Sequence, residues 1–488
     1  MNRMIKPLLY SLACIFLLLS QANAQHQELN EDPKLWGKTK KEIDSSNLLY
    51  RFQMGTIHGH FRSFFSSTFN KNSKVEFAQA IGGGIQFISK PIYNLRLGVS
   101  GFFVYDVVSS DLTKPHPLSN TLNRYELGLF DVTNPANKTD IDRLEELYLQ
   151  YQKNKFTATI GKQLLNTPFI NLQDGRMRPS EVQGVWIQYK NKDNKFYAGW
   201  LNRFSPRGTV QWYKTAESIG IYSVGVNVDG KKSGYKDALE SKGVALIGSE
   251  FELIPNHKLQ LWNQYVENIF NSSLIQLDKS PTTQSPTYYG LQIISQKVVN
   301  DGGNNLVDKT YFNPNQSSLV LGARLGRKIG QWDHSFNFTR ITKQGRYLMP
   351  REWGRDPFYT FLLGERNEGM GDMNAYVVKS KFVASKKPVQ LNLGIGYYDL
   401  PDVLNYPWVF LKQNSAPMVF VYIQLLFSTH FGREQLIVQL VLKYFYLEDI
   451  KQDPHPLIHT HKYQYDPLLL LSLIFLKKNQ MHHTLPLS

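Results

Sequence analysis

Hydrophobic and polar residues alternate along most of this chain. In the stretch IHGHFRSFF at 57–65, Ile57, Phe61 and Phe65 alternate with His58, His60, Arg62 and Phe64. NLRLGVSG, starting at Asn94, sets Leu95, Leu97 and Val99 against Arg96, Gly98 and Ser100. In LYLQYQKNKFTATIG, Leu147, Leu149 and Tyr151 oppose Tyr148, Gln150 and Gln152. A short Lys153-Asn154 turn then leads to Phe156, Ala158 and Ile160 against Thr157 and Thr159. A period of two is the signature of a strand with two different faces, and two such runs around a tight turn predict a hairpin.

Comparable segments recur at 185–190, 195–202, 243–251, 259–267, 319–327, 335–341, 376–383 and 391–398. Short turns such as Asn191-Lys192-Asp193-Asn194 separate some of them, and longer polar loops separate others. That rhythm fits an all-β transmembrane antiparallel barrel with brief periplasmic turns and long external loops. Periodicity alone leaves a soluble sandwich or propeller open. The polar faces carry Arg, Gln, Thr and Gly opposite aliphatic and aromatic residues over one uninterrupted chain, so lipid can cover the apolar face that a sandwich would bury against a second sheet.

The ends and the composition narrow the class. Residues 1–24 carry Arg3 and Lys6, an apolar run from Leu8 to Leu19, and Ala22-Asn23-Ala24, the pattern of a secretory signal cut before Gln25. Ser11-Leu12-Ala13 before Cys14 is a poor lipobox. Cys14 is the sole cysteine, so the exported chain relies on no disulfide. Removing the signal lowers the formal charge from +15 to +13. Beyond the signal no apolar run approaches the ~20 residues that a membrane helix needs, which excludes a helical membrane protein. The basic residues are dispersed along an exported chain, which points to lumenal arginine and attraction to lipopolysaccharide, with no nucleic acid.

The run RLEELYLQY, then IGKQL, then NTPFINLQDGRMRPSEVQGVW resembles the OprD family of outer-membrane porins. GHFRSFF, AQAIGGGIQF at 78–87, and REWGRDPFYTF at 351–361 followed by ERNEG are similar to the same family, and the resemblance covers about 54–407. It implies a barrel of about eighteen strands, monomeric or loosely trimeric, inserted by the barrel-insertion machinery. It further implies passive, substrate-selective uptake of small nutrients such as amino acids, peptides or organic acids, through a pore narrowed by inward loops and lined by a ladder of arginines. Positive groups in a narrow low-dielectric pore focus the field and lower the entry barrier for anions, and a guanidinium pairs with a carboxylate through two hydrogen bonds.

Alternation places Arg62, Arg96 and Arg324 on polar, lumenal strand faces. Arg176 and Arg178, two apart after a strand, could project together if extended, or serve as local partners for Asp174 or Glu181; with Asp174 they are candidates for a charged constriction. His58 and His60 share a face but lack a third ligand nearby, which argues against a metal, and no cofactor is expected. The adjacent carboxylates Glu145-Glu146 and Asp140/Asp142 read as a solvated strand entrance. G-x-S-x-G, a phosphate loop and H-E-x-x-H are absent. Two other classes remain open: a barrel enzyme such as a lipase or protease, and a soluble secreted sugar-binding β-protein.

The text changes after about residue 407. From Val409 onward the sequence holds one glycine, Gly432, and six of the 12 histidines, and it ends on Ser488 where a barrel strand ending in an aromatic residue is expected. LLLLSLIFL at 468–476 is too short to span a bilayer as a helix. The expectation is a frameshift near 406–412, with the last strands lost and closure of the barrel in doubt. The domain reading is therefore a signal at 1–24, a periplasmic lead-in at 25–53, a barrel at 54–408 and an atypical tail at 409–488.

Overall fold

The computed structural model describes residues 55–69, 74–115, 122–222, 224–225, 227, 231–362, 366–385 and 389–401, together with the strand backbones 418–431, 434–447 and 469–481. The signal, the lead-in and the expected frame break at 406–412 lie outside the described residues.

The first nine strands are β1 (Thr56–Phe69), β2 (Glu76–Ile88), β3 (Leu95–Ser109), β4 (Arg143–Lys153), β5 (Phe156–Gln163), β6 (Glu181–Lys190), β7 (Asn194–Ser205), β8 (Tyr213–Lys214) and β9 (Val244–Ile254). The next five are β10 (His257–Val266), β11 (Phe270–Lys279), β12 (Thr287–Val298), β13 (Ser317–Ile329) and β14 (Trp332–Ile341). The last five are β15 (Met373–Val383), β16 (Val389–Asp399), β17 (Met418–Phe431), β18 (Glu434–Leu447) and β19 (Leu469–Met481). They form one 19-stranded antiparallel sheet in which every strand but β8 pairs with the long strands next to it in sequence, and β19 pairs with β1 to close the ring. β8 is a two-residue strand beside the upper end of β7, and β7 pairs directly with β9. The wall therefore has eighteen long strands among the described residues.

Closure leaves no strand edge unpaired in lipid, where each orphan backbone group would cost several kcal/mol. The ring takes in three strands beyond residue 408, where the sequence reading ends the barrel. Their text is rich in Val, Ile, Leu, Phe and Tyr, which suit extended backbone.

The pleat sorts the side chains as alternation predicts. On β12, Leu291 and Ile293 are 55% and 46% exposed on the outer wall, while Gln292 and Gln296 between and beyond them are 1% exposed inside. Bulges at Gln79/Ala80, at 99–101 opposite Glu145 and Glu146, and at Gln183/Gly184 shift the register near the long-loop ends of the strands.

The interior is not a uniformly polar channel. Segments 206–243, 299–316 and 342–372 pack apolar side chains against wall residues such as Trp186, Trp262 and Phe270. Phe204 of β7 stacks on Trp353 of the 342–372 segment with centroids 4.5 Å apart. A second apolar cluster joins Phe64 and Phe102 of the wall to Leu129, Phe130 and Met177 of the 110–142 and 164–180 segments. These two cores hold the long loops inside the barrel.

Candidate functional site

β5 ends at Gln163, and the chain turns into the lumen. The Thr167 hydroxyl accepts from the Ile170 amide at 3.0 Å, making a local side-chain turn. Asn171 then binds the 342–372 segment: its amide donates to the Trp353 carbonyl, its side-chain NH2 donates to the Arg355 carbonyl at 2.9 Å, and its Oδ1 accepts from the Arg355 amide at 3.0 Å. Gly354, at φ +139°, sits against this side chain, and a Cβ there would lie 2.5 Å from Asn171 Oδ1. The Ser180 amide returns to the Leu172 carbonyl and closes the loop before β6.

Within this loop Asp174 meets the wall. Arg62 of β1, 2% exposed, donates to both Asp174 carboxylate oxygens, one at 2.9 Å, and to the Arg176 carbonyl at 2.6 Å. Arg176 turns its guanidinium onto the Arg124 and Tyr125 carbonyls, both at 2.9 Å, in the one-turn helix Arg124–Leu127. The approach is close enough that a Cβ at Gly128 would collide with it. Glu126 of the same turn accepts hydrogen bonds from Ser66 and Thr68 of β1, anchoring the helix to the wall; burial raises its pKa against those donors.

Arg178 takes a different course from Arg176. It is fully buried and donates to the Ile141 carbonyl at 2.9 Å and the Phe130 carbonyl at 3.3 Å. It therefore ties two loops together and presents no surface to a passing solute. Burial, followed by Arg143, pushes its guanidinium down to about 9, so it stays charged at neutral pH.

Two arginines that the sequence reading did not single out join Arg176. Arg207, after β7, donates to the Gln173 carbonyl at 2.8 Å. Its guanidinium lies within electrostatic reach of Arg176 and Arg366, from two other loops, and of Tyr222 and Asp174. Burial first, then Arg176, pushes Arg207 down to about 9. Among the described residues no carboxylate hydrogen-bonds Arg207. Arg366 donates to Glu368 at 3.1 Å and to the Gly354 carbonyl at 2.6 Å. The signals were in the text: the SPRG after a strand and the REWGRDPFYTF…ERNEG block, which carry these arginines without any period to aim them.

The other predicted positions lie elsewhere on the inner wall. Arg96 is half-buried and donates to Gln152 at 2.6 Å near the short-turn end. Arg324 pairs with Asp278 at 2.7 Å, and its guanidinium lies 4.6 Å from the Tyr359 ring centroid and 5.3 Å from that of Tyr288. Tyr359 also donates to Asp278 at 2.8 Å. Arg62, Asp174 and Arg176 thus come together, Arg178 stands behind them, and Arg96 and Arg324 are separate stations. Among the described residues no group of three or more metal-ligating side chains forms a metal site.

The comparisons agree with this architecture. Residues 147–324 match the model of the outer membrane porin, OprD family. No curated protein sequence matches the chain. Among solved structures, Pseudomonas aeruginosa OccK9 (OpdG) superposes with a TM-score of 0.65 at 11% identity, over 88% of this chain and 100% of that one. Acinetobacter baumannii OccAB4 gives 0.64 at 12% identity over 88% and 98%. Pseudomonas aeruginosa OpdK, solved with vanillate, gives 0.62 at 12% identity over 88% and 100%. Porins of this family are substrate-specific channels for small solutes in the outer membrane. The family segment at 147–324 and the closed ring of antiparallel strands make the chain similar to the outer-membrane porins of the OprD family.

Proposed function

We propose that this porin passes small carboxylate-bearing solutes, such as amino acids, peptides or organic acids, and that the Arg176, Arg207 and Arg366 neighbourhood is its charge filter. One observation carries the reading: Arg207 lies within electrostatic reach of Arg176 and Arg366 from two other inward loops, and although Asp174 is also within reach, no carboxylate hydrogen-bonds Arg207 among the described residues. Holding cations together in a low-dielectric site is unfavourable, and an entering carboxylate offsets that repulsion while satisfying free N–H donors. Arg62 serves as the wall anchor of this filter, and its pairing with Asp174 holds the loop in place. Arg324, flanked by two tyrosines, and Arg96 act as weaker stations along the wall, as stepwise release requires. OpdK, a similar barrel, was solved with vanillate, itself a carboxylate, which supports the same substrate class.

The test is reversal potential in planar bilayers under a KCl gradient, paired with liposome swelling in small acids and in neutral sugars of matched size. Anion preference and faster swelling in the acids support the reading. Cation preference, or equal swelling in both, rejects it and leaves the porin standing.

A further inference from the structure

The outer wall carries a row of cations that the pore does not use. Leu147 pairs with Lys162, Lys162 with Gln183, Gln183 with Arg203 and Arg203 with Lys214, so one continuous hydrogen-bonded row crosses β4, β5, β6, β7 and β8. Directly paired residues share a sheet face. Leu147 at one end is exposed on the outer wall, as are Ile160, Val185 and Trp200 on the same three central strands, and the row therefore faces lipid. It lies where β5 and β7 run into the long segments 164–180 and 206–243, the external end of such a barrel. Strands are spaced about 4.8 Å apart, which puts Lys162 and Arg203 about 10 Å apart.

Trp212 lies beside the row. Its indole N–H donates to the Leu144 carbonyl at 3.0 Å, and the Lys162 ammonium lies 4.7 Å from its ring centroid. Leu144 is itself exposed on the outer wall. An aromatic ring and cations at this height match the boundary between acyl chains and headgroups. The carboxylates nearby leave charge to spare. Glu217 pairs with Lys214 at 3.3 Å. Glu181 attracts Lys162 electrostatically but makes no hydrogen bond. Arg203 makes neither an ion pair nor a side-chain hydrogen bond among the described residues.

We propose that Lys162, Arg203 and Trp212 form a binding site for the phosphate of an outer-leaflet glycolipid, with Lys214 at its edge. Arg203 takes the phosphate through its planar fork, Lys162 adds a point charge, and Trp212 lies along the first acyl or sugar segment. The site rests on the lipid-facing wall and not on the solute reading, so lipid binding and conductance succeed or fail independently.

The test uses the full-length porin in detergent, with bisphosphorylated lipid A, dephosphorylated lipid A and inorganic phosphate as probes in native mass spectrometry and thermal unfolding. Bisphosphorylated lipid A should bind and raise the unfolding midpoint, and the K162Q/R203Q variant should bind it about tenfold more weakly or worse. The charge-retaining K162R/R203K variant and the short-turn-end control K153Q should keep most of the affinity. Equal binding of dephosphorylated lipid A would mean the chains alone are held and overturn the site. So would an equal midpoint shift with inorganic phosphate alone, or unchanged binding by K162Q/R203Q that still shows heat-modifiable migration.

Discussion

Arg62 on the barrel wall grips Asp174 of the 164–180 loop through both carboxylate oxygens. This fork is the direct tie between that loop and β1, and the same guanidinium also holds the Arg176 carbonyl. A charge-assisted hydrogen bond contributes about 1.5–3 kcal/mol. Asp174→Asn keeps the shape but removes the charge, so the loop should sample open positions. The expected outcome is a larger and noisier single-channel current with a folded, heat-modifiable barrel. A current indistinguishable from wild type would show that the tie does not set the pore.

The proposed charge filter should be separable from the anchor. Arg207→Gln removes a guanidinium held by one backbone carbonyl and leaves the surrounding loop contacts in place. At an effective dielectric constant near 20, a charge several ångströms from a passing anion contributes about 1–2 kcal/mol after screening by salt. The anion-to-cation permeability ratio should fall about five- to thirtyfold in Arg207→Gln, read as a shift in reversal potential. Arg96→Gln, at the short-turn end, should move it less.

The wall was legible in the sequence and the proposed filter was only half so. Two-residue periodicity put Arg62, Arg96 and Arg324 on the inner face because a strand leaves a side chain only two directions. The inward loops carry no period, and nothing in the spacing of Arg176 and Arg178 shows that one turns to a helix end while the other is sealed between loops. Arg207 and Arg366 were missed for the same reason: long-range packing such as Phe204 on Trp353 and Asn171 on Arg355 holds their loops inside the barrel, and no local pattern records that Arg207 comes within electrostatic reach of Arg176 and Arg366. The apolar cores that hold these loops are made by residues that look like ordinary loop hydrophobics in the text.

Arg178 should behave as a structural residue. Truncation in Arg178→Ala strands the Ile141 and Phe130 carbonyls in a dry interior, a loss of about 1–3 kcal/mol for each unsatisfied group. Lysine cannot reach two carbonyls with one planar fork, so Arg178→Lys should recover little of that loss. The expected readout is a lower temperature for the heat-modifiable gel shift in both variants. A selectivity change in Arg178→Lys with unaltered thermal stability would instead make Arg178 part of the filter.

The 342–372 segment should loosen as pH rises. Asp356 is buried, and burial first, then Glu368, pushes its pKa up to about 7 despite Arg366. Burial would also raise Glu368, but Arg351 and Arg366 outweigh it and hold that carboxyl low. Tyr347 is the further titratable neighbour, and burial, followed by Asp356, raises it well above its ordinary range. With the segment released into water, Asp356 ionises near 3.8. Between about pH 4 and 7 the released state has therefore lost a proton that the packed state keeps, and packing weakens as pH climbs through that window before levelling off above it. Hydrogen exchange of 346–362 should be slowest near pH 4 to 5, after correction for intrinsic rates, and faster at pH 7.5. Asp356→Asn, which cannot ionise, should flatten the profile; a pH dependence that survives this substitution would place its origin in another group.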